Sequence, residues 1–90
     1  MKETQEELEF LLREKFSPSA LEVVDFSAEH AGHSGNPEGR RKGTHLRVRI
    51  ACESFRGKSL LEQHRLVVST LESTVKARKI HALEIRTEVP

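Results

Sequence analysis

The chain has 90 residues, 36% of them apolar and 32% charged, with a formal net charge of +1. Those values bound it to one small domain with a modest core, 1–90, and exclude a general electrostatic drive toward nucleic acid or membrane. Cys52 is the only cysteine, which excludes an internal disulfide and an all-cysteine zinc site. No apolar run approaches the roughly 20 residues that span a bilayer, and the acidic N-terminus lacks the apolar core of a signal peptide. The chain therefore reads as soluble, intracellular and cytoplasmic.

Thr4-Gln5-Glu6-Glu7 has the spacing of a capping box. Leu8, Leu11, Leu12 and Phe16 follow at helical spacing, and Ser17-Pro18 stops the run, which predicts a helix over 4–16. The partly β-branched stretch ending Leu21-Glu22-Val23-Val24-Asp25-Phe26 predicts a strand over 20–26. Residues 27–43 hold four of the five glycines and are too polar for a core element, so they read as a long loop. Residues 44–52 alternate. Leu46, Val48, Ile50 and Cys52 share one face, while His45, Arg47, Arg49 and Ala51 share a basic outer face. Ser59-Leu60-Leu61-Glu62 is a second capping box and opens a helix over 59–76. Its expected apolar stripe is Leu60, Leu61, His64, Val67, Val68, Leu71 and Val75, and Lys76, Arg78 and Lys79 lie at its C-terminal end, where cations suit the dipole. Residues 80–87 read as the last strand. The expected fold class is α+β in two layers. The order α-β-β-α-β gives a three-stranded mixed sheet with both helices on one face.

Charge is unevenly spread. Glu3, Glu6, Glu7, Glu9 and Glu14 dominate the first helix, whereas Arg40, Arg41, Lys42, Arg47 and Arg49 form a basic stretch suited to a protein, anion or nucleic-acid surface. Phe55-Arg56-Gly57-Lys58-Ser59 lies between strand and helix like a phosphate loop, but Cys52 stands where the first glycine is required, so a turn and helix cap is the better reading. Gly32-His33-Ser34-Gly35 has the GXXG form of KH domains, yet falls between two strands rather than two helices. The four phenylalanines are expected in the core, which leaves few platforms for base stacking. Cys52 is expected buried, and no Ser-His-Asp or Cys-His constellation suggests an enzyme.

Five histidines in a chain without Tyr or Trp raise a metal question. His64 falls on the expected apolar stripe and His45 on the outer strand face. That leaves His30 and His33 in the loop and His81 at the start of the last strand as candidate ligands.

From Leu21 to Thr87 the chain resembles the BolA family. The resemblance rests on Leu21-Glu22-Val23 with Asp25, His30-Ala31-Gly32-His33, Gly43-Thr44-His45-Leu46-Arg47-Val48, Phe55-Arg56-Gly57-Lys58-Ser59, Gln63-His64-Arg65-Leu66-Val67 and Ile80-His81-Ala82-Leu83. It implies a fold like a type II KH domain and a non-enzymatic partner of monothiol (CGFS-type) glutaredoxins. Such pairs share a [2Fe–2S] cluster with glutathione. The resemblance assigns His81 as one ligand and, because 27–43 contains no cysteine, His30 or His33 as the other. Imidazole in place of thiolate raises the reduction potential and makes binding pH-dependent. On this reading Arg40, Arg41 and Lys42 meet glutathione carboxylates or an acidic glutaredoxin surface. The chain departs from the family in having Leu46 where many relatives have Phe, and in reaching Pro90 where relatives often continue into a short helix. A KH-like DNA-binding transcriptional regulator is the alternative, with Arg40, Arg41, Lys42, Arg47 and Arg49 as its contact surface.

Overall fold

The computed structural model describes residues 3–27 and 44–90. Helix α1 spans Thr4–Phe16, strand β1 Ala20–Asp25, strand β2 His45–Ala51, helix α2 Leu60–Ala77 and strand β3 Ala82–Glu88, with a 3₁₀ turn at Glu53–Phe55 before α2. The sheet order is β1-β2-β3. β1 runs antiparallel to β2 with Val23 opposite Val48, and β3 runs parallel to β2 with Ile85 opposite Val48. This is the α+β architecture that the order of elements implied.

One apolar layer holds these elements together. Thr4, Leu8, Leu12 and Phe16 form a buried i, i+4 row on α1. Leu46, Val48 and Ile50 of the central strand are fully buried, as are Val67 and Leu71 of α2. Each such side chain contributes about 1.5–3 kcal/mol on burial. Phe16 and Phe55 meet with ring centroids 5.4 Å apart, joining the end of α1 to the 3₁₀ turn. Cys52 is buried beside them, its sulfur 3.2 Å from the Phe16 carbonyl. Phe10, in contrast, is 48% exposed, so the phenylalanines are not all in the core.

The two expected capping boxes have different fates. At Ser59 both reciprocal bonds form with Glu62. At α1 the cap residue is Glu3, without a side-chain cap bond, and Thr4 is already helical. Arg78 donates to Glu7 Oε2 at 2.8 Å and to Thr4 Oγ1 at 3.2 Å, so these two side chains clamp the far end of α2.

The stripe of α2 is rotated from expectation. Gln63, Val67 and Leu71 are buried, whereas Leu60 and Leu61 are exposed, as is His64. The cause is the 3₁₀ turn, whose carbonyls need donors. The Gln63 amide donates to Phe55 and Lys58 carbonyls at 3.3 and 2.9 Å and accepts from Thr87 Oγ1. That draws a polar residue inward at the position where Leu60 was expected to lead.

Candidate functional site

The end of the sheet where β1 stops and β2 begins holds His81, the one candidate ligand among the described residues. After Asp25 the chain turns, and Asp25 Oδ1 accepts from both the backbone N–H, at 2.9 Å, and the hydroxyl of Ser27. This Asp-x-Ser turn orients the Ser27 oxygen as an acceptor. Fully buried, that oxygen takes the Thr44 and His45 N–H groups at 2.9 and 3.0 Å. Ser27 and Thr44 are thereby tied directly to each other, 17 positions apart in the chain.

Thr44 then carries the order to the last strand. Its carbonyl accepts from the N–H groups of His81 at 2.8 Å and Ala82 at 3.0 Å. The approach from α2 is also closed. Ile80 donates to Val75 and Lys79 to Lys76, the paired bonds of a Schellman ending, with Lys79 left-handed at φ 55°. Ile80 is buried and therefore belongs to this helix ending rather than to the strand, which moves the start of β3 from 80 to Ala82. His81 sits between two anchors, its backbone held and its side chain exposed. Its imidazole forms no hydrogen bond to a described residue, so both ring nitrogens are available to an incoming group.

His45 is different. Expected on an exposed face, it is 5% exposed. Its Nδ1 lies 3.0 Å from Thr44 Oγ1, and the Phe26 ring packs edge-on at 5.7 Å. Arg47 covers the Phe26 ring in turn, 4.9 Å from its centroid. His64 lies on the exposed side of α2 and not among the core residues. His30, His33, Arg40, Arg41 and Lys42 lie outside the described residues.

The outer face of the sheet is not uniformly basic. Arg47 pairs with Glu84, its register partner, at 3.2 Å, and Arg49 reaches diagonally from β2 to Glu88 of β3 at 2.7 Å. The Glu88 hydrogen bond and charge raise the Arg49 pKa above its ordinary value. The two arginines remain exposed, but their charge is matched locally.

Asp25, Ser27 and Thr44 were not singled out from the sequence as parts of the site. The Asp-x-Ser turn was a local signal that could have marked the first two. Thr44 had none, because its role depends on three segments meeting. Among the described residues no three His, Cys, Asp or Glu side chains converge to hold a metal ion. Also among them, no helix is long and apolar enough to cross a membrane.

Comparison with known proteins agrees with the geometry. The BolA-like protein family model matches residues 12–90. SufE-like protein 1 of Arabidopsis thaliana, named as chloroplastic/mitochondrial, is 38% identical over 81 residues, covering 88% of this chain but 22% of that relative's length. The DNA-binding transcriptional regulator BolA of Escherichia coli is 34% identical over 83 residues, covering 92% of this chain and 72% of that protein. The solved BolA domain of SufE1 from Arabidopsis thaliana superposes with a TM-score of 0.83 at 33% identity, over all of this chain and 95% of that one. With a family match over most of its length and the same fold, the chain belongs to the BolA-like protein family.

Proposed function

We propose that this chain is a BolA-like adaptor that binds a monothiol glutaredoxin and shares a [2Fe–2S] cluster with it and with glutathione, in iron–sulfur trafficking or iron and redox regulation. The observation that carries the reading is His81, an exposed imidazole on a backbone fixed at both sides. A ligand for a shared cluster needs a free ring nitrogen and a backbone already ordered before binding, and His81 offers both. The chemistry of the donor set suits such a group in part. One imidazole is offered by the described residues, and the rest must come from His30 or His33, from glutathione and from the partner. His30 is three residues from Ser27, which itself is two hydrogen bonds from His81 through Thr44. When bound, the cluster would supply a one-electron centre or a cargo to be passed on. The chain's own part is to fix the backbone that carries the imidazole. A cytoplasmic location belongs to the same reading, supported by a single buried thiol that needs no oxidising compartment, although one relative is named for chloroplast and mitochondrion.

The test is to mix the protein with a cluster-loaded monothiol glutaredoxin and follow visible absorption and circular dichroism. The expected result is a changed cluster spectrum with the wild-type chain and its loss in His81→Ala. His30→Ala and His33→Ala then identify the loop ligand. An unchanged spectrum with the wild-type chain overturns the reading.

The name of the Escherichia coli relative favours DNA binding as a second reading. The local pairing of Arg47 with Glu84 and Arg49 with Glu88 weakens it. A duplex titration at low salt decides, since phosphate-driven binding falls steeply as salt rises.

A further inference from the structure

β3 is an edge strand among the described residues, with β2 on its inner side. Its backbone phase follows from the bonds at its ends. Ala82 N–H points to the Thr44 carbonyl, and the Glu88 carbonyl accepts from Cys52 N–H. Ala82, Glu84, Arg86 and Glu88 therefore turn their backbone groups toward β2. Leu83, Ile85 and Thr87 turn theirs outward, to the open edge. Such an edge is a template for another strand.

Its side chains are self-complementary. In an antiparallel pairing centred on Ile85, Ile85 faces its own copy and Leu83 faces Thr87 of the second copy. These are the residues with outward backbone groups, so they form the hydrogen-bonded pairs. Glu84 and Arg86 then face each other twice, at the non-hydrogen-bonded positions where side chains approach most closely. Arg86 is exposed and forms no ion pair with a described residue. Its neighbour in register is Arg49, whose charge is already taken by Glu88. Glu84 binds Arg47 through one carboxylate oxygen, Oε2, leaving Oε1 for a second cation. On the helix side of the same edge, Leu60 is 74% exposed and Val68 38%. Leu60 lines a shallow pocket with Ile85 and Thr87, and Val68 lines a neighbouring one with Leu83 and Ile85.

We propose that β3 is a self-association edge. Two copies of this chain pair their β3 strands antiparallel about a dyad at Ile85, forming one six-stranded sheet with Glu84–Arg86 pairs on one face and apolar contact on the other. The interface is isologous and closes at two copies. It goes beyond the adaptor reading and does not depend on it. His81 lies four residues from the dyad, so the two His81 positions stand roughly 26 Å apart along the ribbon and cannot share one cluster.

Sedimentation of the purified chain from micromolar to millimolar concentration tests the proposal, with the fold of each variant checked by circular dichroism. The wild-type chain is expected to show a monomer–dimer equilibrium. Glu84→Arg and Arg86→Glu each place like charges opposite one another twice and should weaken it by about tenfold or more. Mixing these two variants, or combining both changes in one chain, restores opposite charges and should restore the dimer. A wild-type chain that stays monomeric at millimolar concentration overturns the proposal. So does a dimer that is indifferent to the charge reversals, because it must use another face.

Discussion

His45 and His81 stand at the same end of the sheet and are both organised by Thr44, yet they are opposite kinds of histidine. Thr44 meets the His45 ring with its side chain and the His81 backbone with its carbonyl. His45 is thereby buried and partnered, whereas His81 keeps its backbone fixed and its ring exposed. A buried imidazole paired with a neighbouring hydroxyl stabilises a fold, and an exposed one on a rigid backbone can bind something. The sequence alone already sets His81 apart as a candidate ligand, but it places the His45 ring on an open strand face, where the structure buries it.

The contrast can be broken at several points. The largest expected effect is functional. His81→Ala should remove nearly all of the cluster-dependent spectral change while keeping stability within about 0.5 kcal/mol of wild type, as thermal unfolding would show. A large fall in melting temperature would make His81 structural instead. The largest structural effect belongs to Ser27→Ala. It strips the acceptor from two backbone N–H groups and should cost about 2–4 kcal/mol in urea unfolding. His45→Ala should cost about 1–3 kcal/mol and leave the cluster response intact, the reverse of His81→Ala. The smallest change is Lys79→Gly at the left-handed residue before Ile80. Relief of that conformation should raise stability by about 1 kcal/mol, or several degrees in melting temperature.

The two helix starts show why some of this was legible and some was not. Thr4-x-x-Glu7 and Ser59-x-x-Glu62 have the same local pattern. At α2 the pattern acts locally, and backbone and side-chain hydrogen bonds with Ser59 hold the Glu62 carboxyl below its ordinary pKa. At α1 the same residue types bind Arg78, more than 70 positions away in the chain. A capping box satisfies helix-end N–H groups only when no stronger tertiary partner competes for the same oxygens. Arg78 is such a partner, because a charged guanidinium offers shorter and stronger bonds than a backbone amide.

The sequence by itself determined the order of elements, the buried rows of α1 and β2, the cap at Ser59 and the family. These are periodicities and spacings within one element, so neighbouring residues suffice to express them. Only the tertiary structure decided which histidine is covered, why Gln63 replaces Leu60 on the core stripe, and that Ser27, Thr44 and His81 form one connected end of the sheet. Burial and hydrogen-bond satisfaction depend on what another segment brings to the same place. No spacing along a single strand or helix encodes that.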